Sequence, residues 1–397
     1  MRCLVPILFS VVAASVTKRA AINRNNYPEL LWPTDRPIPY KFSSDFSDED
    51  RPGVKDVLND IESNSCLIFK DVTNESDTSS TELAIVFQNN TNLDCHLQGI
   101  GKPSSVLSLA EQKCRTISVY YKLILRALGL FGPQRRSDRD DYISVYEDDI
   151  EPDAVRWYEK MSDLVSSTYE VPYDFDSLLH FTPDLNQKTE GIPTMLAKDP
   201  LHQPGMGINF GLPSHSDYLL LNRLYRCFDR CATSLVKCQN GGFLNPNECN
   251  ECICPRGFAG RSCNELDYSC GGYETSTATW RRLSVDWSLI GGERLCFWFL
   301  MLENIVPEDP LCPQTGTWLE VRLGNFVVGG YKFFCNAHIP NHTLISEGNL
   351  TVIMLAKYAD DPFEFELLFR NVEATSENTG STFRVSLALM LYFLLLL

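Results

Sequence analysis

Three groups of residues in this sequence have types and spacings that bear on chemistry. Lys122 and Arg126 stand four apart in the stretch from Lys122 to Ile143, KLILRALGLFGPQRRSDRDDYI, which continues through Arg136, Asp138, Arg139 and Asp140. On a helix that spacing puts both cations on one face, a turn apart. Each carries donors only, so neither offers an ordinary lone pair to a metal ion. Surface or salt-bridged charge is expected of them ahead of a specific anion site. The second group is His338 and His342, an H-x3-H pair with Pro340 between them. Proline disfavours the helix that would align the two rings, so a surface loop is expected. The third is Cys249, Cys252 and Cys254, a C-x2-C-x-C cluster that suits either a zinc knuckle or a disulfide framework.

The compartment decides that last choice. Met1 to Ser15 holds Arg2, an apolar stretch from Cys3 to Val12, and the small residues Ala13, Ala14 and Ser15, the form of a secretory signal. Of the 15 cysteines, Cys3 falls in this leader, and the fourteen that remain fit seven disulfides. Sequons at Asn74, Asn89, Asn341 and Asn349 agree with an oxidising, glycosylating route. In such a chain disulfides are favoured over a zinc knuckle. A net charge of -16 argues against a nucleic-acid partner, which needs a basic face. With 44% apolar and 22% charged residues, the 397-residue chain has the composition of two or three globular domains.

The cations at 122 and 126 must be positioned by a helix. Val119, Tyr120, Leu123, Ile124, Ala127 and Leu128 repeat at helical spacing, and Gly129 stands where a helix-ending glycine belongs. Another helix is expected over 52–63, with Pro52 in its first turn and Val54, Val57, Leu58 and Ile61 inward. Strands are expected at Leu83 to Phe87, Trp318 to Leu323 and Leu350 to Ala356.

The stretch from Lys122 onward resembles the zinc-binding helix and turn of the astacin metalloproteases, H-E-x-x-H-x-x-G-x-x-H-E followed by R-x-D-R-D. Gly129 takes the glycine, and Arg136, Asp138, Arg139 and Asp140 take the downstream positions. In that frame the three histidine ligands fall on Lys122, Arg126 and Gly132, the catalytic glutamate on Leu123, and the glutamate after the third histidine on Pro133. Tyr173 to Phe181 resembles the family's methionine turn, Y-D-x-x-S-x-M-H-Y, with Leu179 for the methionine and Phe181 for the tyrosine near the metal. His180 is kept, and a packing or hydrogen-bonding role is expected for it. Leu31-Trp32-Pro33 and Ile38-Pro39-Tyr40 open the domain as the family does, and Ser214, Asp217, Asn222, Tyr225 and Cys227 match its last helix. The resemblance further implies that Cys66 pairs with Cys227 and Cys95 with Cys114.

The remaining segments resemble modules that accompany this family. The cysteines from Cys231 to Cys263 resemble an EGF-like unit, implying pairs 231 with 249, 238 with 252, and 254 with 263. Cys270, Cys296, Cys312 and Cys335 resemble the cysteines of a CUB domain, a β-sandwich. The implied fold class is α+β: a two-lobed, astacin-like metzincin domain (20–227), an EGF-like module (228–264) and a CUB sandwich (270–371). Before them come the signal (1–15) and a short dibasic segment (16–19) ending in Lys18-Arg19, a processing site. After them a tail (374–397) fits a GPI-attachment signal, with small residues Ala374, Thr375 and Ser376 and an uncharged end.

The function these features imply is that of a secreted or surface-anchored pseudoprotease. It would act by binding an extracellular protein or peptide and reach a membrane only through a lipid anchor. No cofactor is expected, and calcium at the CUB module is left open. The alternative is an active zinc metalloendopeptidase with non-standard ligands, for which His96, His180, His202 and His215 are the donors outside the lost motif.

Overall fold

The computed structural model describes residues 19–75, 83–90, 95–101, 105–111, 113–267, 270–285, 295–301, 304–308, 318–334, 343–356 and 365–370. The expected leader, Lys18 and anchor signal, together with Cys312, Cys335, His338, Asn341 and His342, lie outside the described residues.

The first lobe is a sheet covered by helices. Its strands are β1 (Arg19–Ile22), β2 (Ile38–Phe42), β3 (Phe69–Asp71), β4 (Ile85–Asn89), β5 (Cys95–Gln98) and β6 (Ser105–Leu109), with helix α1 (Arg51–Ser63) after β2. Strands β2 to β6 form one sheet in the order β3-β2-β4-β6-β5, parallel except for the edge strand β5. Buried and half-buried positions alternate along β2 and β6, so one face of each is turned to the core. The strand expected from Leu83 starts at Ile85 and ends at Asn89.

On that core lie α1, through Val54, Val57, Leu58 and Ile61, and α2 (Ile117–Ala127), through Tyr120, Leu123, Ile124 and Ala127. Thr116 caps α2 by accepting from the Val119 amide. Gly129 ends it at φ +95°, where a Cβ would also come within 2.6 Å of Ile22 Cδ1. Helix α3 (His215–Leu224) begins in a capping box made by Ser214 and Asp217. Its Asn222 donates to the Asn64 carbonyl after α1 (2.7 Å), and Tyr225 just beyond it donates to the Leu128 carbonyl after α2 (2.9 Å). These two bonds tie three helix ends together.

The second lobe has little regular structure. It contains β7 (Ile143–Val145), β8 (Ser166–Thr168) and β9 (Met195–Ala197) around a small core of Ile143, Tyr158, Tyr173, Phe175, Met195 and Met206. β1 pairs with β8, while its Ala20, Ala21 and Ile22 are buried in the core of the first lobe. Lying between the lobes, the turn after α2 is fixed by Arg136. It forms a two-point ion pair with Asp138 (2.8 and 2.9 Å) and donates to the Val171 and Pro172 carbonyls.

Two hairpins, β10 (Phe243–Leu244) with β11 (Cys252–Ile253) and β12 (Phe258–Ala259) with β13 (Glu265–Leu266), form a small unit whose order comes largely from disulfides. Disulfides join Cys231 to Cys249, Cys238 to Cys252 and Cys254 to Cys263 there, Cys66 to Cys227 and Cys95 to Cys114 before it, and Cys270 to Cys296 after it.

A β-sandwich follows. One sheet takes β14 (Gly271–Thr275), β16 (Leu295–Met301), β18 (Trp318–Arg322), β19 (Tyr331–Phe333) and β21 (Thr351–Ala356). The other takes β15 (Arg281–Val285), β17 (Asn304–Glu308), β20 (Leu344–Ile345) and β22 (Phe365–Arg370). Trp298, Leu319, Ile353, Leu367 and Phe369 meet between the sheets. This unit docks on the second lobe: Lys332 donates to Asp176 and the Ile208 carbonyl, the Gly329 amide to Asp174 (3.0 Å), and Tyr331 to Asp199 (2.8 Å).

Candidate functional site

A cleft of about 390 Å³ lies between the lobes, bounded by α2, the edge strand β5, the turn after α2 and residues 178–182. Lys122 and Arg126 line it from α2, as their spacing implies. Lys122 is exposed at the mouth and Arg126 is half-buried, its guanidinium 5.6 Å from the centre of the Trp157 ring. Among the described residues neither makes an ion pair, so the salt-bridged state considered for them is not the one formed. Leu123 points away, buried in the core of the first lobe.

Desolvation in the cleft lowers the pKa of Lys122 and of Arg126, and the nearby charge of Arg135 lowers Arg126 further. Arg135 was not singled out in the sequence. It reaches the same cavity because the turn after Gly132 folds back, and its Nε donates to the Glu159 carbonyl (3.2 Å). Trp157 and Gln134 were missed too, since both arrive through tertiary packing and neither carries a local sequence signal.

Gly132 is closed in. A Cβ there would stand 2.4 Å from the Leu179 carbonyl oxygen and 2.3 Å from the amide nitrogen of the buried Gln134 side chain. Gln134 Oε1 in turn accepts from the Phe181 amide at 3.4 Å. The Phe181 ring packs edge-on against Tyr158, with centroids 5.2 Å apart.

Of the four histidines outside the motif, His96 and His180 line the cleft, while His202 and His215 lie outside it. Nδ1 of buried His180 donates to the Phe181 carbonyl (2.7 Å), leaving Nε2 to accept from the Tyr173 hydroxyl (2.8 Å), and burial lowers its pKa to about 4. Both ring nitrogens are therefore used, the hydrogen-bonding role expected from the sequence. His202 lies between Phe175 and Tyr331, and His215 Nε2 bonds the Gly241 carbonyl (2.9 Å). His96 stands exposed on β5. No group of three or more His, Cys, Asp or Glu among the described residues could hold a metal ion.

The turn carrying His180 is set by Asp217, which accepts from Ser177 Oγ (2.7 Å) and the Leu178 amide (2.9 Å). Thus α3 holds the cleft floor.

A sequence profile described as Astacin, a peptidase family, matches residues 24–226, about half of the chain. The chain belongs to the astacin family. Among similar proteins, zinc metalloproteinase nas-29 of Caenorhabditis elegans is 29% identical over 380 residues, 90% of this chain and 69% of that protein. Zinc metalloproteinase nas-27 of the same nematode is 28% identical over 400 residues, 91% of this chain and 89% of that protein. A solved structure, High choriolytic enzyme 1, a hatching enzyme zinc-protease from Oryzias latipes, aligns at 23% identity with a TM-score of 0.40, over 48% of this chain and 88% of that one.

Zinc is the metal the astacin family implies, and the donor set tests whether it fits. The pattern's ligand positions hold an ammonium, a guanidinium and no side chain at all. Two cations on one helical turn repel a dication, and the third position has no room for an imidazole beside the Leu179 carbonyl. These residues do not fit a zinc ion. No helix among the described residues is long and apolar enough to cross a membrane.

Proposed function

We propose that this astacin-family chain is a pseudoprotease that acts by binding an extracellular protein or peptide in the cleft. One observation carries the reading: Lys122 and Arg126 face the cleft from an otherwise intact helix, at the positions where the family pattern has metal ligands. Leu123 cannot take a proton from water, so the general base is missing along with the metal donors. The cleft itself persists, because the bonds that shape it belong to Arg136, Asp217 and His180, none of which needs a metal. In this reading residues 228–264 are an EGF-like module, residues 270–371 a CUB domain for protein recognition, and the chain is secreted or lipid-anchored at the cell surface.

The test is metal content of the purified chain together with peptide cleavage in the presence and absence of a chelator. The expected result is no stoichiometric zinc and no chelator-sensitive turnover. Zinc at one per chain with chelator-sensitive cleavage overturns the reading.

A further inference from the structure

We propose that the cleft receives an acidic peptide segment, one carboxylate of which is taken by Lys122, Arg126 and Arg135. The proposal rests on the binding reading above and names its ligand class. Three cations line one cavity of about 390 Å³ in a chain whose net charge is -16, so the patch is local and runs against the overall charge. Among the described residues Lys122 and Arg126 have no carboxylate partner. Arg135 has the Glu159 charge nearby but spends its Nε on the Glu159 carbonyl. Arg126 and Arg135 line the same cavity close enough to repel one another, the charge of Arg135 lowering the pKa of Arg126. A carboxylate would relieve that repulsion, and a guanidinium offers paired donors that match its two oxygens.

The walls favour a peptide over a sulfated glycan. Phe131, Trp157 and Leu185 line the same cavity, giving apolar surface beside the charge, and the volume suits one or two side chains. A sulfated glycan presents rows of charge and little apolar surface, which calls for an open basic face. Charge-assisted bonds to a partly desolvated cation are stronger than those between exposed ions, so the acidic group should control affinity.

The experiment uses the full secreted chain and a fluorescein-labelled seven-residue peptide of glycine, alanine and three aspartates. The same peptide with asparagines, one with lysines, and a heparin hexasaccharide are compared by fluorescence anisotropy. The acidic peptide should bind at least about tenfold more tightly than the neutral one. Lys122→Ala with Arg126→Ala should remove most of that difference, and Lys122→Glu with Arg126→Glu should turn the preference toward the lysine peptide. Lys122 is exposed and Arg126 only half-buried, so the variants should fold, which unchanged thermal melting verifies. Equal binding of acidic and neutral peptides overturns the anionic ligand and leaves the binding reading intact. Acidic binding that ignores both substitutions places the ligand elsewhere and overturns the proposal. Tighter binding of the hexasaccharide, with displacement of the peptide, overturns it in favour of a glycan. No binding of any probe overturns it as well, whereas the binding reading itself falls on zinc-dependent cleavage.

Discussion

Gly132→Ala is expected to destabilise the protein although it adds one methyl group at a surface-connected cleft. The new Cβ would stand 2.3 Å from Gln134 Nε2, 2.6 Å from Gln134 Oε1 and 2.4 Å from the Leu179 carbonyl oxygen, against an ordinary contact of 3.4–4 Å. Something must move by about an ångström. The Gln134 amide could swing aside, but it is buried and would lose its contact with the Phe181 amide. The Leu179 carbonyl is held, because the His180 amide of the same peptide group donates to the Ser177 carbonyl (3.0 Å) and Ser177 Oγ accepts from the Leu179 amide. Overpacking of this kind costs about 1–3 kcal/mol, and at roughly 2–4 °C per kcal/mol the melting temperature should fall by several degrees. Adding Gln134→Ala should recover only part of the loss, since the backbone contact stays. The assay is thermal unfolding of both variants by circular dichroism. If Gly132→Ala melts with the parent chain, the turn is softer than its hydrogen bonds imply, and the claim that the third ligand position is closed fails. The same geometry sets the outcome of a restoration: Lys122→His, Leu123→Glu, Arg126→His and Gly132→His together should not yield one zinc per chain by metal analysis.

Other substitutions separate the scaffold from the site. Arg136→Ala leaves the buried Asp138 carboxylate without its two-point partner and should cost about 3–5 kcal/mol, read from chemical denaturation. Lys332→Met strands the buried Asp176 between the second lobe and the sandwich. It should destabilise by a similar amount, and adding Asp176→Leu should restore most of the loss. His180, His202 and His215 are each lowered by burial to about 4 from 6.5, so their rings stay neutral in the folded chain. Between those values the unfolded chain binds more protons, so their contribution is complete above pH 6.5 and is lost as pH falls toward 4. Asp217, raised by burial from 3.8 to about 6, works in the opposite sense, its contribution declining as pH rises through that window. Imidazole proton shifts by nuclear magnetic resonance isolate the histidines, and titration of these rings near pH 6.5 would refute the assignment.

What was legible in the sequence is what local periodicity encodes. The apolar repeat from Val119 to Leu128 with Gly129 behind it implies a helix, and α2 forms there from Ile117 to Ala127 with both cations on the cleft side. The strands expected at Trp318 to Leu323 and Leu350 to Ala356 form as β18 and β21, each within a residue at either end and buried throughout. The second lobe was poorly legible because it has hardly any periodic element to read. Its shape comes from bonds such as Tyr158 to the Leu185 carbonyl and Arg139 to the Gln134 carbonyl. Arg135 and Trp157 enter the cleft for the same reason. The docking of Lys332 on Asp176 spans 156 positions, and no spacing rule reaches that far.

The division between residues that match the family pattern and those that depart from it has a physical basis. Arg136, Asp138, Tyr173, His180 and Asp217 each satisfy a buried partner, so replacing any one leaves a charge or hydrogen-bonding group stranded in low dielectric. The positions where the family pattern has metal ligands carry no such obligation. A residue at 122 or 126 needs only to sit on a helix, which lysine and arginine do well. Position 123 faces the core, and leucine there buries apolar surface that a glutamate would forfeit. Helix propensity does not explain why both residues are cations facing one cleft, where desolvation lowers the pKa of each and neither meets a carboxylate among the described residues. That arrangement is what makes the cleft, rather than the scaffold around it, the place to look for a ligand.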